Sequence, residues 1–243
     1  NEKAAKELRE MKPGSAPVGC VAMAVTMIPT GNESIDEDLI VAACKNGASG
    51  NAVLAAMKEQ HLKIALEVAA RSNIPIELVD GITKRCNACL TSSDPALCTA
   101  ALRCLLSIGA ALNVDIDALK CLLQSKDSTL RAASFVTSAK YAQEGGALPI
   151  DMLDMIASQL GSEPLAGTVA ACACTRCDAA RHILGRIAHS AAPIEHMISI
   201  INQAIVHVEL KNEIIELLSK IQIPQSRSDI ARAVKMLRDI IGC

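Results

Sequence analysis

Three cysteines and two nearby histidines form the part of this sequence whose residue types could hold a metal ion. Cys172, Cys174 and Cys177 lie within six residues, and His182 and His189 follow downstream. Thiolate and imidazole groups are the usual ligands of tetrahedral Zn²⁺. Zinc ribbons pair two such clusters at set spacing, and the other Cys-x-x-Cys lies far upstream. We therefore interpret these cysteines as small residues at a helix end and predict no bound metal.

That other pair, Cys86 and Cys89, has the spacing of thiol redox motifs. In such motifs the first thiol lies at a helix N-terminus, where its pKa falls. Here the pair comes near the predicted end of a helix, where the dipole has the opposite sign. The sequence also has no Gly-x-Ser-x-Gly nucleophile elbow, and its Gly-Ala-Ser-Gly turn at residues 47–50 lacks a following Lys-Ser or Lys-Thr. We predict a protein that is not an enzyme and needs no cofactor.

Surface cations are the remaining residues that could bind a partner. The candidates are Arg103, Arg131, Lys140, Arg232, Lys235 and Arg238. Interface hot spots favour Trp, Tyr and Arg, and this chain has no Trp and one Tyr. The last three cations share one face of the final predicted helix, where they would also complement the helix dipole and keep the terminal repeat soluble.

A repeated phrase marks the short helices that would position these residues. The phrase is an isoleucine, an acid, and an apolar residue two positions after the acid. Its isoleucines are Ile76, Ile116, Ile150 and Ile194, with a weaker copy at Ile35 that leads to Leu39, and the five isoleucines are spaced 41, 40, 34 and 44 residues apart. Proline and acidic residues in the first turn favour a helix start, and the apolar residues that follow at helical spacing predict one apolar face per helix. Such periods are typical of stacked helical repeats.

The sequence predicts helices over most of its length. They cover residues 35–45, 51–71, 76–90, 95–112, 116–124, 128–143, 150–160, 163–174, 178–190, 194–207, 210–221 and 227–241, after a charged helix within 1–13. Ser34 and Glu37 have the form of a capping box at the first repeat helix. We divide the chain into an N-terminal segment and linker, residues 1–33, and one helical-repeat domain, residues 34–243.

The composition favours an all-α fold in a reducing compartment. Of 243 residues 51% are hydrophobic, but Phe135 and Tyr141 are the only aromatic ones, and eleven are cysteines. Alanine and leucine are strong helix formers, so we predict an all-α solenoid of about five helical hairpins. A net charge of −2 gives no general attraction to nucleic acid or lipid. The apolar stretch 18–28 is shorter than the ~20 residues that span a bilayer.

We therefore expect no membrane span. Cysteines without a secretory signal indicate reduced thiols, and we expect an intracellular protein, in the cytoplasm or, as the alternative, in an organelle.

Two related segments resemble repeats of the HEAT and armadillo superfamily. They are Asp94-Pro95 with Leu97 and Ala100-Ala101-Leu102, and Asp127 with Leu130-Arg131-Ala132-Ala133. That family has an acid or proline at its first helix followed by Leu-Arg-x-Ala-Ala-type spacing, and Arg131 matches its basic position. The resemblance covers residues 34–241 and implies a right-handed superhelix whose concave groove holds a protein partner. It implies a non-enzymatic scaffold or adaptor, or a subunit of a larger complex.

The unit from Asp117 to Asp151 resembles a pentatricopeptide-type repeat, and residues 38–58 are similar to it. This second resemblance implies a protein that binds single-stranded RNA, one base per repeat. The base-reading positions do not form a consistent polar series, and no basic stripe lines the predicted helices. We keep RNA binding as the alternative, and a protein as the expected partner.

Overall fold

The computed structural model describes residues 2–12, 14–16, 20, 30–45, 62–70, 74, 76–188, 192–222 and 226–242. Over these residues the chain is all-α, since they form helices, turns and connecting segments but no strand. Within the same ranges, no helix combines the length and apolar character needed to cross a membrane. Most of the apolar stretch 18–28, the first half of the predicted helix 51–71, and His189 lie outside the described residues.

The described residues contain thirteen α-helices. In chain order they are α1 (Glu2–Glu10), α2 (Glu33–Lys45), α3 (Leu62–Ala69), α4 (Ile76–Cys89), α5 (Pro95–Ser107), α6 (Ile116–Leu122), α7 (Ser128–Gln143), α8 (Ile150–Ser158), α9 (Pro164–Ala173), α10 (Cys177–Ile187), α11 (Ile194–Ala204), α12 (Lys211–Lys220) and α13 (Ser228–Ile241). Short 3₁₀ helices cover Ala111–Asn113 and Val208–Leu210. The predicted helices 76–90 and 150–160 thus begin at the predicted residues, and a copy of the repeated phrase marks the start of each.

The helices form two compact units, residues 1–134 and 135–243. In the first unit α1 packs on α2, α2 on α3, and both α3 and α4 on α5. Arg9 Nη1 donates a hydrogen bond to Asp38 Oδ1 at 2.6 Å, which joins α1 to α2. The boundary that we predicted between residues 33 and 34 therefore falls inside the first unit, because the N-terminal helix packs with the first repeat helix.

In the second unit the helices pack in two rows. One row is α8, α10 and α12, and the other is α9, α11 and α13, with each helix contacting the next one in its row. Contacts of α8 with α9, α10 with α11, and α12 with α13 join the two rows. The buried side chains of these helices include Met152, Ile156, Val169, Ile183, Ile187, Ile201, Leu217 and Val234. Consecutive helices therefore pair as hairpins, and successive hairpins pack side by side.

An aspartate caps the N-terminus of three of the helices. Asp94, Asp115 and Asp127 each accept a hydrogen bond from a backbone N–H two or three residues further on, at 2.9, 3.1 and 2.8 Å. Each bond satisfies one of the amide groups that the first turn of a helix leaves unpaired, and such a cap is typically worth about 1 kcal/mol. These helix starts are therefore specified by local sequence.

The first repeat helix begins differently from the prediction. α2 starts at Glu33, and Asn32 Oδ1 accepts hydrogen bonds from the backbone N–H groups of Ser34 at 3.1 Å and Ile35 at 3.3 Å. The predicted capping box of Ser34 and Glu37 is wrong, because Asn32 precedes the first turn and its side chain already satisfies those amides.

The isoleucines of the repeated phrase do not all belong to the apolar core. Ile76 is 83% exposed and Ile150 is 64% exposed, whereas Ile82 and Ile156 are buried. An α-helix has 3.6 residues per turn, so two residues six positions apart differ by roughly 120° around its axis. The first isoleucine of the phrase therefore lies outside the buried face of these two helices. That residue instead presents apolar surface at the helix start.

Candidate functional site

The three clustered cysteines lie where one hairpin turns into the next. Cys172 is in the last turn of α9, Cys174 follows its end, and Cys177 begins α10. Cys174 is buried, and burial raises the pKa of its thiol to about 12. Burial also raises the pKa of the half-buried Cys172. Both thiols thus lie at a helix end, where burial favours their protonated form.

Cys177 has a different environment, because it lies close to His207 and Glu209. Both of these residues belong to the segment that connects α11 to α12. The thiol sulphur, an imidazole nitrogen and a carboxylate oxygen of these residues all lie within 4.8 Å of one another. A hydrogen bond between the thiol and Glu209 raises the pKa of Cys177 and lowers the pKa of Glu209. Among the residues that the structure describes, Cys177 is therefore the member of the predicted cysteine cluster that lies together with other metal-ligating side chains.

A backbone carbonyl orients the imidazole of this cluster. His207 Nε2 lies 2.9 Å from the carbonyl oxygen of Cys174. Since a carbonyl oxygen only accepts hydrogen bonds, Nε2 carries the hydrogen in this contact, and the lone pair of a neutral ring is then on Nδ1. The ring therefore has one nitrogen engaged by the protein and one nitrogen that can act as a base or a ligand.

His182, which the sequence places near the cysteines, belongs to a separate ionic cluster. Asp154 Oδ1 of α8 lies 2.7 Å from His182 Nε2 and 2.7 Å from Arg186 Nε, both on α10. The hydrogen bond from Arg186, and after it the one from His182, hold the pKa of Asp154 below its ordinary value. The cluster joins neighbouring helices of one row.

We expect Asp154→Asn to lower the melting temperature near neutral pH, because His182 and Arg186 lose the negative charge between them. A carboxyl group whose pKa is lowered by folding adds stability above its ordinary pKa of 3.8, and this stability is lost as the pH falls through the folded-state value. The two proteins should therefore converge in acid. Thermal melts followed by circular dichroism test this, with Asp117→Asn as the charge control. A difference that is equally large in acid would contradict the assignment.

A groove of about 240 Å³ lies beside this cluster, between α8 and the start of α10. Its lining consists of Leu148, Ile150, Leu153, Arg176, Asp178, Ala179, Arg181 and His182. Arg176 pairs with Asp178 at 3.5 Å, so these two charges offset each other. The remaining charge of Arg181 makes the lining positive. The groove thus combines the exposed apolar surface of Ile150 with a net positive edge.

Arg103, one of the predicted partner-binding cations, lines a groove of about 300 Å³ in the first unit. Lys63, Glu67 and Asp127 contribute the other charges of this groove, together with side chains of α5 and the start of α7. Two bases and two acids balance each other, so this groove has no net attraction for a charged partner. Its electrostatics differ in this respect from those of the groove beside α10.

The other two cations named in the middle of the chain are held by near neighbours. Arg131 Nη1 donates a hydrogen bond to the carbonyl oxygen of Ser125 at 2.7 Å, and Lys140 Nζ pairs with Glu144 at 3.2 Å. Both contacts are short in sequence and stabilise the ends of α7. The structure therefore provides a local role for each of these side chains.

The cations of the last helix separate into two groups. Arg232 and Lys235 are exposed on α13, opposite the buried residues Ile230, Val234, Leu237 and Ile241. Arg238 is half-buried and its Nη2 donates to the carbonyl oxygen of Leu218 at 3.1 Å, near the end of α12. Arg238 thus joins two helices and complements the negative end of α12.

The Cys-x-x-Cys pair lies in the hairpin of α4 and α5, where all four cysteines are buried. The Cys98 thiol lies 3.3 Å from the carbonyl oxygen of Cys89, and a hydrogen bond with Cys104 together with burial raises the pKa of Cys86. Burial also raises the pKa of Cys89. Protonated, buried thiols are weak nucleophiles, so these residues pack as small apolar groups.

Sequence reasoning did not identify the partners of Cys177. His207 and Glu209 come after α11, and no motif spacing relates them to the cysteine cluster. The signal available in the sequence is a His-x-Glu before the predicted helix 210–221, which has meaning only once α10 and α12 are known to be neighbours.

Comparison with known protein families finds no match to this chain, and comparison with curated proteins finds none either. Among solved structures, the chain is similar to an engineered protein from the Northeast Structural Genomics Consortium, with a TM-score of 0.60, 15% sequence identity, and coverage of 100% of this chain and 74% of that chain. A second engineered protein from the same consortium has a TM-score of 0.41 at 19% identity and covers 98% of each chain. The first similarity concerns the fold alone, and the class it supports is an all-α protein.

Proposed function

We propose that the chain is a non-enzymatic helical-repeat scaffold or adaptor that binds another protein, with its hairpins stacked as an α-solenoid of the HEAT or armadillo kind. The observation that carries this proposal is the pair of helix rows in the second unit. In a repeat array each hairpin buries its apolar surface against its neighbours, and the outer side of each row remains available along the array. A continuous side surface of this kind suits an extended protein partner.

We place the partner contact in the second unit, at the groove between α8 and α10. Ile150 supplies exposed apolar area there, and Arg176 and Arg181 supply guanidinium groups at the edge. Arginine is enriched among interface hot spots, and charges at the edge of an interface steer association and select the partner. The matching segment of the partner therefore has an apolar anchor residue flanked by aspartate or glutamate.

A photo-crosslinking amino acid at position 150 tests this placement in an extract of the native source. We expect it to form an adduct with one defined protein, and we expect Arg176→Glu in the same chain to reduce that adduct about tenfold, as a loss of roughly 1.4 kcal/mol in binding would. The matched control is the same crosslinker at position 240, because Ile150 and Ile240 are both 64% exposed.

Equal adducts at the two positions would reject the groove as the contact site. An adduct with RNA in place of protein would reject the scaffold proposal and support the alternative of base-by-base RNA binding. Insensitivity of the adduct to Arg176→Glu would show that the positive edge of the groove does not select the partner.

A further inference from the structure

The cluster of Cys177, His207 and Glu209 is independent of the proposed partner-binding function. Among the described residues, it is the group of three histidine, cysteine or acidic side chains whose ligand atoms all lie within 4.8 Å of one another. Cys177 and His207 are half-buried and Glu209 is exposed, so the cluster lies at the surface with access from solvent. Its three members come from the first residue of α10 and from the turn that leads into α12.

We propose that these three side chains bind Zn²⁺, with the fourth coordination position open to water or to a ligand from a partner. One sulphur, one nitrogen and one oxygen donor form a set that suits Zn²⁺, whereas Mg²⁺ and Ca²⁺ prefer oxygen donors throughout. The thiolate and the carboxylate together balance the two charges of the ion. When the zinc–sulphur bond forms, the thiol proton leaves to solvent, so metal binding releases one proton from Cys177.

The surroundings of the cluster favour this use. Histidine ligands in metal sites usually donate their second ring N–H to a carbonyl or carboxylate, which orients the ring, and His207 Nε2 has this contact with the carbonyl oxygen of Cys174 at 2.9 Å. Arg181 lies near both acidic members, and its charge favours the thiolate of Cys177 and the carboxylate of Glu209.

The geometry needs only a small adjustment. Zinc–ligand bonds of about 2.0–2.3 Å place the ligand atoms of a tetrahedral site roughly 3.5 Å apart. The present separations are all within 4.8 Å. Because Glu209 is exposed on a short 3₁₀ turn, its flexible side chain can adjust to a bound ion without movement of the packed helices. The bound ion would then tie the start of α10 to the turn before α12.

The test uses the full chain, stripped of metal by a chelator under reducing conditions and titrated with Zn²⁺ and, separately, with Co²⁺. We expect one ion per chain and, for Co²⁺, a thiolate-to-metal charge-transfer band in the near ultraviolet. Cys177→Ser should abolish that band. Loss of a residue that only orients a metal ligand typically weakens metal binding 10–100-fold. Cys177 and His207 would contact the ion directly, so Cys177→Ser and His207→Ala should each weaken Zn²⁺ binding by more than roughly 100-fold.

Cys172→Ser is the matched control, because Cys172 is also half-buried and lies five residues earlier outside the cluster. It should bind Zn²⁺ as the wild type does. Glu209→Gln, at an exposed position, provides a variant that keeps the fold if Cys177→Ser or His207→Ala does not. Absence of stoichiometric Zn²⁺ binding by the wild type, or unchanged binding by Cys177→Ser or Glu209→Gln, would overturn the proposal.

Discussion

Replacing Phe135 with alanine is expected to lower the free energy of unfolding by about 3–5 kcal/mol, the range measured for large aromatic side chains in protein cores. Phe135 is the only phenylalanine of the chain, and with 1% of its surface exposed it is among the largest fully buried side chains. Truncation to alanine removes buried apolar area and leaves a cavity that the surrounding helices fill only in part. Denaturant unfolding followed by circular dichroism measures the loss.

The neighbouring residue of the same helix provides the control for this prediction. Val136 is 45% exposed, so Val136→Ala should change the free energy of unfolding by no more than about 0.5 kcal/mol. Both variants also raise the helix propensity of α7 slightly, which cancels in the comparison. If Phe135→Ala destabilised the protein as little as Val136→Ala, the side chain of Phe135 would not be part of a packed core.

Gly167→Ala is expected to destabilise the second unit by about 1–3 kcal/mol through overpacking. A Cβ atom at Gly167 would overlap both Cγ and Cδ2 of His196, where α9 packs against α11. Because Cγ is bonded directly to the Cβ of His196, these ring atoms can be displaced only if the whole side chain rotates or the two helices move apart. Their displacement would also break the contact of His196 Nδ1 with the carbonyl oxygen of Leu160, which is 3.0 Å long.

A second helical glycine separates this clash from the helix-propensity gain of any glycine-to-alanine change. Gly185 lies inside α10, and a Cβ atom there would have no neighbour within 4 Å. Gly185→Ala should therefore stabilise the protein by about 0.5–1 kcal/mol. Thermal melts of the two variants should shift in opposite directions. A stabilising Gly167→Ala would show that α9 and α11 are farther apart than described.

The proposed partner groove and the proposed metal site share the start of α10 and the nearby charge of Arg181, but the metal ligands do not line the groove. Arg176 and Asp178 line the groove, while Cys177 between them belongs to the metal cluster. Cys177→Ser therefore tests zinc binding with the groove lining unchanged, and a crosslinker at position 150 tests the groove with the metal ligands unchanged. Failure of one proposal leaves the other standing.

The helix starts could be predicted from the sequence because their causes are local. Asp115 and Asp127 cap helices within three residues of themselves, and prolines begin α5 and α9. The buried face of the last helix could also be predicted, since Val234 and Leu237 follow helical spacing and are buried. Local prediction did not identify the cap of α2, because Asn32 and Ser34 both have side chains that can accept from the first amides.

The sequence by itself determined the all-α class and the succession of helices, because caps, prolines and apolar spacing act within a single turn or helix. Only the tertiary structure decided which side chains share a site. Cys177 forms a cluster with His207 and Glu209 and not with Cys172. His207 in turn contacts the carbonyl oxygen of Cys174, which is 33 residues earlier in the chain. The physical reason is that neighbouring helices of one row contact each other through their side chains. Which side chains come into contact depends on how α10 and α12 are rotated and packed. No spacing along the chain encodes that rotation.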